Sequence, residues 1–233
     1  MISSDLKNNE KAILNRIKVA CDHSNRAVDS VKLIWVSKTK PIEDVDAAYA
    51  LGAKDFGENK VQESIEKFSV RRPGADLHLI GPLQSNKMRK IAQIAQWIHT
   101  MTSVKSLDKL DRICAEENVK LRVLIQINTS KETTKSGVAM EEAEEFLEKL
   151  PNYANLLYCG LMTIGINTGV AEDSRECFSF LRNLKEKFYN KDERFNKFTE
   201  LSMGMTGDLE IAVEEGATMV RIGTALFGAR NYQ

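Results

Sequence analysis

Two lysines frame the run Val36-Ser37-Lys38-Thr39-Lys40-Pro41, which closes a short apolar, β-branched stretch. Side chains alternate along a strand, so Ile34, Val36, Lys38 and Lys40 fall on one face. With Val36 inside a barrel, Lys38 stands at its mouth, where desolvation disfavours the ammonium and frees an amine nucleophile. Alternation does not choose between Lys38 and Lys40. Two later stretches suit an anion. Leu201-Ser202-Met203-Gly204-Met205-Thr206-Gly207-Asp208 sets small and hydroxyl residues ahead of a helix start, where backbone N–H groups can hold negative charge. In Arg221-Ile222-Gly223-Thr224, Gly223 permits close backbone approach and Thr224 adds a hydroxyl donor. Together the three stretches describe a ligand with a phosphate at one end and an amine-reactive carbon at the other.

The elements that must position these residues alternate along the chain. Strands are expected at Lys32–Ser37, Ala53–Phe56, Leu77–Ile80, Trp97–Met101, Leu121–Asn128, Leu156–Ile164, Phe198–Met203 and Thr218–Ile222. Between them apolar residues recur at helical spacing, as in Val61, Ile65 and Phe68, or Ala143, Phe146, Leu147 and Leu150. Ser106 and Asp208 stand where N-caps belong, and Gly52 and Gly216 where helices should stop. Such alternation forces parallel strands with right-handed crossovers. Eight units close most naturally into a (β/α)8 TIM-type barrel, which has no edge strands; an open doubly wound sheet is the alternative. Loops at the C-terminal ends of barrel strands carry the active site, and those after the seventh and eighth strands often bind phosphate. An extra N-terminal helix within residues 1–30, with Ala12, Ile13, Ile17, Ala20 and Cys21 on one face, is expected to cover the barrel or pack beside it. No Pro/Gly/Ser-rich linker interrupts residues 1–233, so one domain is expected.

Composition narrows the function classes. Lys plus Arg equals Asp plus Glu at 33 each, without the basic excess of a nucleic-acid or membrane-surface protein. No apolar run approaches the roughly 20 residues of a membrane span, and the polar N-terminus does not resemble a secretory signal, so a cytoplasmic protein is expected. Cys21, Cys114, Cys159 and Cys177 lie far apart and read as buried apolar residues. The charged runs Lys87 to Lys90 and Glu141 to Glu145 read as solvated helix faces. No metal site is expected.

The chain resembles the pyridoxal-phosphate homeostasis proteins, a family similar to the N-terminal barrel of alanine racemase. The matching stretches are Val36 to Pro41, Phe56-Gly57-Glu58-Asn59-Lys60-Val61-Gln62-Glu63, His78-Leu79-Ile80-Gly81-Pro82-Leu83-Gln84-Ser85-Asn86-Lys87, Gly160-Leu161-Met162-Thr163, Leu201 to Met205 and Arg221 to Thr224. The resemblance implies pyridoxal 5′-phosphate (PLP) as cofactor. It implies that Lys38, rather than Lys40, is the Schiff-base lysine, and that Ser202, Gly223 and Thr224 hold the phosphate. It also implies that Arg221 approaches the pyridine nitrogen and that Asn59 lies beside the cofactor. The chain departs from the family's pattern at Leu77, where an aromatic residue is usual, and at Thr206, where serine is commoner.

A PLP enzyme uses the pyridine ring as electron sink best when a carboxylic partner protonates its nitrogen. Arginine can only donate, so Arg221 there implies a weaker sink. Racemases of this fold class add a second domain with an opposing base, and this sequence runs only about ten residues beyond Arg221. The resemblance therefore favours a monomeric carrier that buffers PLP and delivers it to apo PLP-dependent enzymes. The alternatives are a racemase-type PLP enzyme, with Lys40, His78 or Tyr49 as the second base, and a cofactor-free barrel acting on sugar phosphates.

Overall fold

The computed structural model describes residues 2–130 and 136–229. Among these residues nine parallel strands are formed: β1 (Lys32–Val36), β2 (Asp55–Glu58), β3 (Asp76–Leu79), β4 (Trp97–Met101), β5 (Leu121–Asn128), β6 (Val138–Ala139), β7 (Leu156–Met162), β8 (Glu200–Ser202) and β9 (Met219–Ile222). β1 bonds β2 on one side and β9 on the other, and β4 bonds β5, so the sheet closes on itself. Eight strands form the ring, while the two-residue β6 lies beside the end of β5. The eight expected strands are all present, and the open-sheet alternative is excluded by closure.

Strand alternation sorts the apolar residues into two layers. Ile34, Val36, Trp97, Leu124, Cys159, Met162 and Met219 fill the barrel. Trp35, Phe56, Leu77, Ile98, Val123, Ile125 and Leu161 belong to the larger cluster that includes the helices. Opposite Val123 and Leu124 the register slips by one, because Tyr158 and Gly160 pair there and Cys159 bulges. That slip explains why inward residues on β7 are three apart rather than two. All four cysteines are buried and free of disulfides, and burial pushes the Cys159 thiol up to about 12.

Helices alternate with the strands: α1 (Ile2–His23), α2 (Ile42–Ala50), α3 (Val61–Phe68), α4 (Met88–Ala92), α5 (Val104–Glu116), α6 (Ala143–Glu148), α7 (Arg175–Phe188), α8 (Leu209–Glu214) and α9 (Thr224–Phe227). Among the described residues a single turn, α9, follows the last strand, and it leaves a gap in the outer ring. The N-terminal helix α1 fills it by packing on α2, α8 and α9. Its buried face is Leu6, Ile13, Ile17, Ala20 and Cys21, whereas Ala12 points to solvent. Arg16 grips both carboxylate oxygens of Glu210 at 2.6 and 2.7 Å and donates to the Thr206 carbonyl at 2.9 Å. Asn9 donates to the Leu226 carbonyl. The extra helix thus braces the loop that follows β8 and the turn of α9 that follows β9.

Two expected caps differ in detail. Ser103, not Ser106, caps α5: its backbone is extended and its hydroxyl accepts the Ser106 N–H. Asp208 does precede α8, but its carboxylate turns back to accept the Met205 N–H at 2.7 Å. This closes the loop that begins at Gly204, where φ is +92° and an added Cβ would lie 2.5 Å from the Ala212 methyl. A Gly204→Ala variant should therefore lose at least the roughly 1–3 kcal/mol of a residue held in that conformation. Urea unfolding measures this, and wild-type stability would contradict the geometry.

Candidate functional site

β1 ends at Val36, Ser37 is buried behind it, and Thr39 turns the chain at φ +65°. The turn breaks strand alternation between the two lysines and gives them different surroundings. Lys38 is half-buried and lines a cavity of about 420 Å³ with Val36, Lys40, Ile80, Met205, Thr206, Gly207, Arg221, Gly223, Thr224 and Gly228. The Lys40 ammonium donates to the carbonyls of Phe227, the last residue of α9, and of Ala229 just past it, at 2.9 and 3.0 Å. Partial negative charge gathers at such a helix end. Lys40 is committed to holding α9 in place.

The turn carrying Lys38 rests on a buried ionic cluster. Ser37 donates its hydroxyl to Glu58 Oε1 at 2.7 Å. The Lys67 ammonium, on α3, donates to the same oxygen and to the Ser37 carbonyl, each at 2.8 Å. Glu63 accepts the Thr39 N–H at 2.8 Å. Glu58 and Lys67 expose 0% and 7% of their side chains, so water screens this pair little. Burial raises the Glu58 carboxyl above its usual range, against the pull of Lys67, and Oε2 has no partner among the described residues.

The opposite wall comes from the loops after β8 and β9. The Arg221 N–H donates to the Gly204 carbonyl at 2.9 Å, tying the loops together. Gly223 rests on β1, where an added Cβ would lie 3.1 Å from the Val36 carbonyl oxygen. Gly223 also opens α9, and the leading N–H groups of a helix have no acceptor within it. Arg221 is 5% exposed; its guanidinium donates to Ser202 Oγ and to the Thr163 carbonyl, each at 2.8 Å. Burial pushes it down to about 10, which leaves it cationic at neutral pH.

Not every expected residue reaches this cavity. Ser202 points into the barrel one layer below the rim, is wholly buried, and contacts Arg221 and His99. The hydroxyl that this loop brings to the cavity wall belongs to Thr206, four residues further on. Asn59 lines an adjoining cavity of about 260 Å³ with Gly81, Thr100, Thr102 and Gln126, and Ile80 is the wall shared by both. Of the three residues considered as a second base, Tyr49 bonds the Pro73 carbonyl outside the barrel and His78 is buried within it between Asp55 and His99. Only Lys40 touches the cavity. Leu77 faces the outer layer, opposite to His78, so the departure there is a matter of packing.

Sequence reasoning passed over Asp55, His99, Glu58 and Lys67. His78 and His99 sit on neighbouring strands, and inward parity on β3 and β4 would have placed both in the barrel.

The family described as "Alanine racemase, N-terminal domain" matches residues 9–231. Pyridoxal phosphate homeostasis proteins of Vibrio alginolyticus and Escherichia coli K12 are 41% and 36% identical to this chain, each alignment covering 98% of it and 99% or 98% of the relative. The chain belongs to the pyridoxal phosphate homeostasis protein family. Among solved structures, an unknown protein from Bifidobacterium adolescentis superposes with a TM-score of 0.91 at 31% identity, over 97% of this chain and 96% of the other. PipY of Synechococcus elongatus, solved with PLP bound, gives a TM-score of 0.79 at 34% identity over 91% of this chain and all of PipY. Alanine racemase of Clostridium difficile 630 shares the fold at 14% identity, with a TM-score of 0.76, and the chain spans 58% of its length. No helix among the described residues is long and apolar enough to cross a membrane.

The ionic cluster under Lys38 makes a testable demand on this family member. Lys67→Met leaves the Glu58 carboxylate buried without its cation and should lose about 3–5 kcal/mol. Replacing both, as Glu58→Gln with Lys67→Met, should recover most of that. A single variant within about 1 kcal/mol of wild type in urea unfolding would show that the pair does not hold the turn.

Proposed function

We propose that the protein holds PLP in the cavity at the mouth of the barrel, with Lys38 bonded to the aldehyde carbon as a Schiff base, and that it buffers and delivers the cofactor rather than turning over a substrate. The observation that carries the reading is the assembly of Lys38, a buried guanidinium and two hydroxyl-bearing loops around one cavity, with the second lysine tied to α9. The residues fit the group. Thr206, Gly207, Gly223 and Thr224 form a polar corner suited to the phosphate, and Val36 and Ile80 offer apolar surface for the ring. Arg221 supplies a fixed donor for the ring nitrogen. Relatives named for PLP homeostasis, and PipY solved with PLP bound, support the same reading.

When bound, PLP supplies an electrophilic carbon and an electron-accepting ring. The chain's own residues restrain that chemistry. Arg221 stays charged and has no acceptor, so it favours an unprotonated ring nitrogen and a weaker sink. Abstracting a proton α to an imine needs a base within about 2.6–3.2 Å, directly or through one water. Among the described residues lining the cavity, the ionisable side chains are Lys38, Lys40 and Arg221. Lys38 would be occupied and Lys40 is committed to carbonyls, which favours a carrier over a racemase. Asn59, beyond Ile80, is suited to whatever approaches the cofactor from the adjoining cavity. Apo PLP-dependent enzymes are the recipients of this reading, and the protein acts as a monomer inside the cell, within a single domain.

Two measurements test it. Thr206→Ala and Thr224→Ala each remove a hydrogen bond to a charged group, worth about 1.5–3 kcal/mol. PLP affinity should fall roughly tenfold to a hundredfold, while pyridoxal, which lacks the phosphate, binds as before. Equal losses for both ligands would remove these residues from the phosphate corner. In deuterated water, L-alanine mixed with PLP-loaded protein should keep its α-proton and handedness. Exchange near the ~10 s⁻¹ typical of enzymes would overturn the carrier reading in favour of a racemase.

A further inference from the structure

Inside the barrel, a continuous chain of hydrogen bonds runs from the N-terminal ends of the strands to the cavity floor. Asp55 Oδ1 lies 3.0 Å from His78 Nε2, and His78 Nδ1 lies 2.9 Å from His99 Nε2. His99 Nδ1 lies 2.9 Å from Ser202 Oγ, which accepts from Arg221 at 2.8 Å. His78, His99 and Ser202 are wholly buried, and Trp97 stacks on His78 at 5.4 Å.

The ends of the chain determine the direction of every bond in it. An ionised carboxylate only accepts and a guanidinium only donates, whereas a neutral imidazole and a hydroxyl each do both. Burial raises the Asp55 carboxyl, but the bond from His78 and the charge of Lys32, 3.3 Å away, outweigh it and keep the group ionised. His78 must then carry its hydrogen on Nε2 and present Nδ1 as acceptor. His99 must likewise carry its hydrogen on Nε2, and the Ser202 hydrogen points to His99. Ser202 is left with lone pairs toward Arg221, the one arrangement that suits a cation. Burial holds both imidazoles below the usual histidine range, so they stay neutral. The chain conducts no proton, because arginine at its end cannot release one at ordinary pH.

We infer that Asp55 is a positioning residue of Arg221 and a remote counter-charge to it, joined through His78, His99 and Ser202. The Asp208 carboxylate, in the loop after β8, is a second charge that acts on the guanidinium, outside this chain of bonds. Three aligned bonds bring the acceptor side of the chain to the guanidinium, which compensates its burial and holds its orientation in the cavity floor. Other charges surround the lower end. Asp76 accepts from the Trp97 indole at 3.1 Å and from Arg122 at 3.3 Å, and Lys32 shares Asp55. These cations occupy the carboxylates where Asp55, Asp76 and His78 converge. What Arg221 meets in the cavity rests on the cofactor reading above, while the chain of bonds does not.

The sequence contains three histidines, and His23 is exposed, so the buried pair can be resolved by nitrogen-15 NMR of the imidazoles. Ligand-free protein should show His78 and His99 neutral, each protonated on Nε2. Asp55→Ala should weaken PLP and pyridoxal alike, by about tenfold, the loss of one hydrogen bond to a charged group. Asp55→Asn, whose amide oxygen still accepts without charge, should lose less. Loss for both ligands separates this effect from the phosphate corner, where only PLP is affected. His99→Gln interrupts the chain independently should Asp55→Ala fail to fold. An Nδ1-protonated form of either buried histidine, or wild-type affinity in folded Asp55→Ala or His99→Gln, would overturn the inference. If wild-type protein bound no PLP, the cofactor reading would fail and the imidazole signals would still decide the ordering of the chain.

Discussion

The pairing of the first barrel strand with the last is the constraint on which the site depends. Ile34 lies opposite Arg221 and Trp35 opposite Ile222 in the β1–β9 ladder. Continuing that register brings Gly223 onto Val36 and sets the turn carrying Lys38 against the loop carrying Thr224. Residues nearly two hundred positions apart thereby share one cavity. A slip of one residue would send Lys38 and Arg221 to opposite faces of the sheet. α1 supports the same seam from outside, since Arg16 bonds the Thr206 carbonyl in the loop after β8 and Asn9 bonds the Leu226 carbonyl in α9.

Charge burial is the second organising feature, and it is handled differently on the two sides of the sheet. Behind β1, Glu58 and Lys67 compensate each other directly and stiffen the turn beneath Lys38. Inside the barrel, Arg221 hydrogen-bonds the neutral Ser202 hydroxyl and Thr163 carbonyl, feels the Asp208 carboxylate from the loop after β8, and is joined to Asp55 through His78, His99 and Ser202. Both arrangements fix a cation's position without exposing it to water. Lys38 stands between them, held from behind by one and facing the other.

Fold and cavity were legible because they follow from local pattern. Strand alternation put Val36 inward and Lys38 at the rim, and the glycine and hydroxyl loops fell after the expected strands. Alternation failed where the backbone leaves the strand. The turn at Thr39 separates Lys38 from Lys40, and the bulge at Cys159 shifts the inward residues of β7. Ser202 was expected at the ligand because it belongs to a recognisable motif, yet its place on β8 turns its hydroxyl down into the barrel, and Thr206 reaches the rim instead. Glu58, at the end of β2, and Lys67, on α3, look like solvated charges in the sequence, since nothing local announces that packing α3 on the strand will bury both.

The central claim is that geometry, not residue type, makes Lys38 rather than Lys40 the reactive amine. Borohydride reduction of PLP-loaded protein, followed by peptide mapping, tests this directly. A pyridoxyl group on Lys38, with Lys40 unmodified, is the result this account requires. A pyridoxyl group on Lys40, or none on either lysine, would contradict it.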